Sequence, residues 1–384
     1  MRLHKFSFIL LVLALLVATG LFPSTPLSAQ EGYGYAYLAV FENQTAELRI
    51  VDPTNPNAVA TRRAYTVPAG WNPPDLQAFV SPTGEWVVYT LHALDNRSLL
   101  VQLLNVQSGE TREIAQGSLS QRGQSIVWSP DGRVLTLNIV QDGGDVDIYL
   151  YSVADATMVN LTNDDANQRD IAWSADSNRI ATFTEPCPTC ASRLEIFNIS
   201  SNQPEFSLDL SLITLEGTES CNPTFSPDAR YVGFQSNCGF NAAARADFPN
   251  EVYLWNPVVG SLEQVTNVSA EVGGARFSAT YNLTWYDAQT LLVGVNYETS
   301  TTQNRQVLSY QADQKRVSAL ATEGARLWSL APLSRQVILF DPQTTGARQG
   351  QLEVATLDFT DQAATLSTQV VSRPVEAEIG YGLQ

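Results

Sequence analysis

Histidine is nearly absent from this chain of 384 residues: His4 and His92 are the only two. A Ser-His-Asp hydrolase needs a placed histidine, a nucleophile and an oxyanion hole, and no Gly-x-Ser-x-Gly occurs. His92 therefore reads as a loop residue after a strand at 87–91. Basic side chains are also scarce, with 22 Lys and Arg against 39 Asp and Glu and a net charge of −17. Losing Arg2 and Lys5 with a leader takes −17 to −19 and leaves Lys315 as the single lysine. Nucleic acid and anionic membrane surfaces are thereby excluded, because phosphate binding needs a basic footprint. Long apolar runs are missing too. The one candidate, residues 6–18, is short for a membrane-spanning helix. It follows the basic Arg2, His4 and Lys5 and precedes the small residues Ser28 and Ala29, so residues 1–29 read as a secretory signal. No Cys follows the run, so a lipid anchor is not expected.

What the chain has in quantity is repetition. Residues 126–165 contain four short apolar or alternating runs separated by polar turns. Ser129-Pro130-Asp131-Gly132 is a hairpin signal: Pro presets φ, Asp suits the next position, and Gly accepts a positive φ. Aligning on that serine gives Ser81, Ser129, Ser174 and Ser226, with degenerate equivalents at Tyr286 and Ala331. The spacings are 48, 45, 52, 60 and 45 residues, the period of a four-stranded blade with loops of varying length. Trp128, Trp173 and Trp285 share one register, which places them in packing between blades. Trp71, Trp86 and Trp255 fall outside it, which leaves room for an exposed, sugar-stacking role.

The hexapeptide Trp128-Ser129-Pro130-Asp131-Gly132-Arg133, followed by Asp147-Ile148-Tyr149 and Leu161-Thr162-Asn163, resembles the WD40-like (PD40) repeat of TolB-type β-propellers. The resemblance implies an all-β propeller of four-stranded blades in an extracytoplasmic compartment, periplasmic or secreted. TolB proteins carry a smaller domain before the propeller. Strand candidates here begin at residue 35, so that domain is expected to be missing. Residues 30–384 are expected to form one domain. Candidates at 35–42, 47–52 and 63–67 supply the second to fourth strands of a first blade, and a strand at 375–381 would return as its innermost member. That count makes seven blades; six, with extra N-terminal edge strands, is the alternative. Closure removes exposed sheet edges.

Four cysteines in an exported chain favour disulfides, with three connectivities open. The preferred pairs are Cys187–Cys190 and Cys221–Cys238. First-strand starts and second-strand ends meet on one propeller face, and Cys221 is placed just before a first strand. A redox pair at Cys187–Cys190 lacks the helix N-terminus that lowers a thiol pKa, and the spacing does not suit a four-cysteine zinc site. Asp142, Asp145 and Asp147, and Asp164 and Asp165, are acidic turns without the twelve-residue calcium pattern. Neither metal nor cofactor is expected, and no catalytic residue is assigned. Asp170, Glu219 and Glu271 are the candidates for a channel site. The loops between second and third strands are the long ones, and loops on a rigid scaffold are the usual place of recognition. Phe240, Arg245, Phe248 and Tyr297 are the binding candidates there. The expectation is a non-enzymatic module that binds a protein or cell-envelope component, with a propeller enzyme or a carbohydrate-binding propeller as the alternative.

Overall fold

A computed structural model of the chain describes residues 35–40, 45–51, 59–66, 71, 78–94, 98–120, 125–187, 190–214, 219–238, 250–267, 277–298, 303–320, 326–331, 336–340, 352–359 and 364–370. For residues 35–66, 277–282, 296–305 and those beyond 320 the description is of the backbone. The leader, Glu271 and the returning strand at 375–381 lie outside these residues.

Among the described residues there is no helix. β1 (Tyr35–Val40), β2 (Thr45–Val51) and β3 (Val59–Thr66) form a three-stranded antiparallel meander. Six four-stranded meanders follow. They are β4–β7 (Ala78–Val80, Trp86–His92, Leu99–Asn105, Thr111–Leu119) and β8–β11 (Ile126–Trp128, Val134–Val140, Val146–Ser152, Thr157–Asn160). Next come β12–β15 (Asn167–Trp173, Arg179–Glu185, Arg193–Asn198, Pro204–Asp209) and β16–β19 (Glu219–Phe225, Val232–Cys238, Val252–Asn256, Ser261–Gln264). The last two are β20–β23 (Phe277–Trp285, Thr290–Glu298, Gln303–Gln311, Arg316–Leu320) and β24–β27 (Arg326–Ala331, Gln336–Phe340, Leu352–Phe359, Ala364–Val370). Two bridges, β7 to β9 and β10 to β12, join three of the units into a 12-stranded sheet.

The turn between first and second strands is made the same way in successive units. Ser129 Oγ donates to Asp131 Oδ1 at 2.6 Å and accepts from Val134 N at 3.0 Å, while Gly132 N returns to Ser129 O at 2.8 Å. Ser174 repeats this with Asp176 and Arg179, and Ser226 with Asp228 and Tyr231. Ser81 does so with Thr83 and Trp86. The fourth turn residue is left-handed throughout: Gly84 at φ 70°, Gly132 at 69°, Ser177 at 59° and Ala229 at 55°. A hydroxyl that caps the turn from inside holds this conformation even where glycine is absent.

A second device joins the start of a third strand to the chain leaving the fourth. Thr162 Oγ1 donates to Asp147 Oδ1 at 2.9 Å and accepts from Ile148 N at 3.1 Å. Thr266 does the same for Glu251 and Val252. The D-I-Y and L-T-N pieces of the repeat are thus two halves of one contact.

Both faces of each well-described unit are buried against a neighbour. Val88, Val101 and Leu103 of one unit pack on Trp128, Leu135 and Leu137 of the next. Val127, Ile148 and Leu161 in turn pack on Ile171, Trp173 and Ile180. The series continues through Phe183, Leu194 and Ile196 against Val232, Phe234 and Trp255. Trp128 is 1 % exposed, and its Nε1 donates to Phe79 O of the preceding unit at 3.1 Å. Trp285 Nε1 reaches Thr224 O at 3.3 Å in the same manner. The tryptophan register marks packing between units. The three tryptophans outside that register are not exposed platforms. Trp86 and Trp255 are buried, Trp86 beneath the Arg112 guanidinium, and Trp71 packs beside Val87 and Tyr89. The first two lie on second and third strands, which are covered on both faces, so a register taken from first strands misses them.

Candidate functional site

In each unit the short turns lie at one end of the strands and the second-to-third-strand connections at the other. Residues 186–192, 239–251 and 341–351 are connections of the second kind. At this end the fourth and fifth units depart from the repeat.

A β-bulge interrupts β12 between Arg169 and Ile171, with Asp170 left-handed at φ 55°. Such bulges re-aim side chains. Arg169 is turned between the two units, its side chain 3 % exposed. Its Nε donates to Glu185 Oε1 at 2.9 Å and lies 3.8 Å from Glu219 Oε2. Nη1 donates to Asp170 Oδ2 at 3.3 Å and to Ser220 O on β16. The guanidinium lies 5.0 Å above the Phe183 ring, and Nη2 has no hydrogen-bond partner. Three carboxylates therefore surround one cation, and their exposure rises from 7 % at Asp170 through 16 % at Glu185 to 36 % at Glu219. A buried arginine without these partners would be costly, so the group ties β12 to β16 and leaves negative charge at the rim.

The cysteines flank this group. Cys187 and Cys190 stand with sulfurs 2.07 Å apart, and Cys221 and Cys238 with sulfurs 2.04 Å apart. Both are disulfide distances. Cys221 lies inside β16 and not before it, because register shifts on either side of it lengthen the strand. Gln235 Oε1 accepts from Asn222 Nδ2 at 2.8 Å and sits 3.2 Å from Cys221 Sγ. Asn250 Nδ2 donates to Cys238 Sγ at 3.5 Å.

The other expected sites resolve as follows. Asp170 and Glu219 come together, around a cation that sequence reasoning passed over. Phe240, Arg245 and Phe248 lie outside the described residues. Tyr297 is in β21, paired with Ser278 and Asn304. His92 closes β5 opposite Leu99, one residue inside the strand. Asp147 belongs to the threonine device. Among the described residues no cluster of His, Cys, Asp or Glu is arranged to hold a metal ion, and no helix is long and apolar enough to cross a membrane.

No protein-family model and no curated protein matches the sequence. Solved structures do. An oligogalacturonate lyase from Vibrio parahaemolyticus is similar at TM-score 0.55 and 12% identity, over 88% of this chain and 85% of that one. The β-propeller domain of the trilobed protease from Pyrococcus furiosus, described as having an open velcro topology, is similar at TM-score 0.51 and 10% identity, over 90% and 100%. The fold is a β-propeller. A TolB from Acinetobacter baumannii aligns at TM-score 0.41 and 13% identity, and the chain spans 62% of its length. One expectation is corrected by this propeller's neighbours. The chain was expected not to be an enzyme, yet propellers of this shape include that lyase and prolyl endopeptidases, the latter at TM-score 0.52 and 11% identity. A scarcity of histidine argues against one hydrolytic mechanism only, and a lyase on this fold lies outside that argument. At such identities the fold is what is shared, and no reaction is transferred.

Proposed function

We propose that this propeller is exported and holds a protein or cell-envelope component at the end carrying the second-to-third-strand connections of its fourth to seventh blades. The observation that carries the reading is concentration. Both cysteine pairs, the Arg169 group and the long connections 186–192 and 239–251 share one end of two adjacent blades. The opposite end is built from repeated short turns. Disulfides belong to oxidising compartments, which agrees with the apolar leader. Seven blades follow from one three-stranded and six four-stranded units if residues 375–381 supply the missing inner strand. The test is capture from the native cell envelope, with the processed chain as bait beside a variant lacking residues 239–246. A partner held by the first and lost by the second, with the variant still folded, supports the reading. Equal capture would remove it.

A second reading is a channel site that acts on or binds a carbohydrate. Glu185 and Glu219 at the rim, beside a buried arginine with an unused N–H, favour it. Thermal shift against an oligosaccharide panel, with Glu219→Gln as the control, tests it. A stabilising ligand that the variant fails to bind would establish this reading, and no shift with any sugar would eliminate it.

A further inference from the structure

The two cysteine pairs sit in different surroundings. Cys190 is exposed and Cys187 half-buried, joined otherwise by a backbone bond from Cys190 N to Cys187 O at 3.0 Å. Cys238 is 9 % exposed, within the β16–β17 ladder, and Gln235 Oε1 lies 3.2 Å and 3.9 Å from the two sulfurs of its pair. A thiolate attacks a disulfide along the S–S axis, so it needs an open approach behind the sulfur it strikes. Cys190 is the exposed member of the first pair. At the other pair Cys221 is half-buried, as Cys187 is, and no sulfur belongs to an exposed residue; strand β17 and the Gln235 and Asn250 amides occupy the surroundings of Cys238.

We propose that Cys187–Cys190 is a thiol-exchange site for low-molecular-weight thiols, distinct from Cys221–Cys238, which clamps the scaffold. This goes beyond the binding reading and does not depend on it. Opening the first pair disturbs little. It closes a sequence separation of 3, and β13 before it stays anchored where Glu185 accepts from Arg169 at 2.9 Å. Opening the second frees β16 beside Ser220, whose carbonyl Arg169 uses.

In the exchange a thiolate such as that of glutathione attacks Cys190 Sγ. The S–S bond breaks, and its electron pair leaves on Cys187 Sγ, which takes a proton from solvent. The product is a mixed disulfide at Cys190 and a free thiol at Cys187. A second glutathione thiolate attacks the adduct sulfur and releases Cys190 as a thiol and glutathione disulfide as the oxidised product. Two thiols have then given two electrons to the protein pair.

The test uses the native, oxidised full chain with reduced glutathione, quenched over time by alkylation and mapped by peptide mass. The starting map must show pairs 187–190 and 221–238; any other pairing overturns the proposal. Alkylation of Cys187 and Cys190 is expected about tenfold sooner than that of Cys221 and Cys238, with the first glutathione adduct on Cys190. Equal rates, earlier opening of Cys221–Cys238, or an adduct on Cys187 would overturn it. A melting curve recorded when only the first pair is open is expected to keep a cooperative transition, and loss of that transition would show that the pair belongs to the scaffold after all.

Discussion

The two ends of the blades are built on different rules. At the turn end, a serine hydroxyl, a carboxylate two residues on and a left-handed fourth residue recur in one blade after another. The contacts are local and nearly interchangeable. At the connection end, first-strand bulges recur from the fourth blade to the seventh, but the buried arginine among carboxylates and the two cysteine pairs belong to the fourth and fifth, and the neighbouring third blade has none of these at the same positions. One end closes hairpins, and the other is where the repeat has been spent on something particular. The contrast supports the proposed binding end more strongly than loop length alone.

The largest effect should come from the particular end. Arg169→Ala removes the cation that Asp170 and Glu185 share and is expected to cost about 3–5 kcal/mol in urea unfolding. A cost near zero would mean that the group is solvated and that the contrast is false. Next come the cysteines. Replacing Cys221 and Cys238 together with Ala should cost about 3 kcal/mol, and replacing Cys187 and Cys190 about half that, since loop-closure entropy grows with the loop. Equal costs would erase the distinction between clamp and exchange site.

At the turn end, Ser174→Ala and Ser226→Ala should each cost about 1–3 kcal/mol, and by similar amounts, because each removes the same buried hydroxyl. Strongly unequal losses would show that the turns are not copies. Ala229→Gly should stabilise by about 1 kcal/mol by relieving a left-handed alanine. Gly132→Ala should destabilise, since its new Cβ would also meet Thr83 Cγ2 at 2.9 Å. Ser177→Gly should gain less than Ala229→Gly, because Ser177 Oγ accepts from Asp131 N at 3.0 Å and that bond would be lost. The smallest effect is on the acid limb. The hydrogen bond from Ser174 chiefly holds the Asp176 carboxyl below its ordinary 3.8. A lowered folded-state pKa contributes stability that is present above that ordinary value and lost as pH falls through the folded one. Asp176→Asn should flatten the loss below about pH 4 by a few tenths of a kcal/mol, given its exposure.

Much of the turn end was legible in the sequence, because its chemistry is confined to six consecutive residues. Ser129-Pro130-Asp131-Gly132 names its own conformation, and the tryptophan three residues before Asp131 names the packed face. The connection end was legible only in part. Cysteine spacing pointed to Cys221 and Cys238, and Asp170 and Glu219 stood out as carboxylates on inner strands. Arg169 did not, since Glu185 and Ser220, which hold it, are 16 and 51 residues away in the chain. The bulge that turns it inward carries no glycine to announce itself. Trp86 and Trp255 were left unassigned for a related reason: burial on second and third strands depends on the neighbouring blade and not on the local pattern.

Hydrogen–deuterium exchange on the propeller with its captured partner tests the central claim most directly. Protection is predicted in residues 186–192, 239–251 and 341–351, with the turns at 129–133, 174–178 and 257–260 unchanged. Protection of those turns with the connections left open would contradict it.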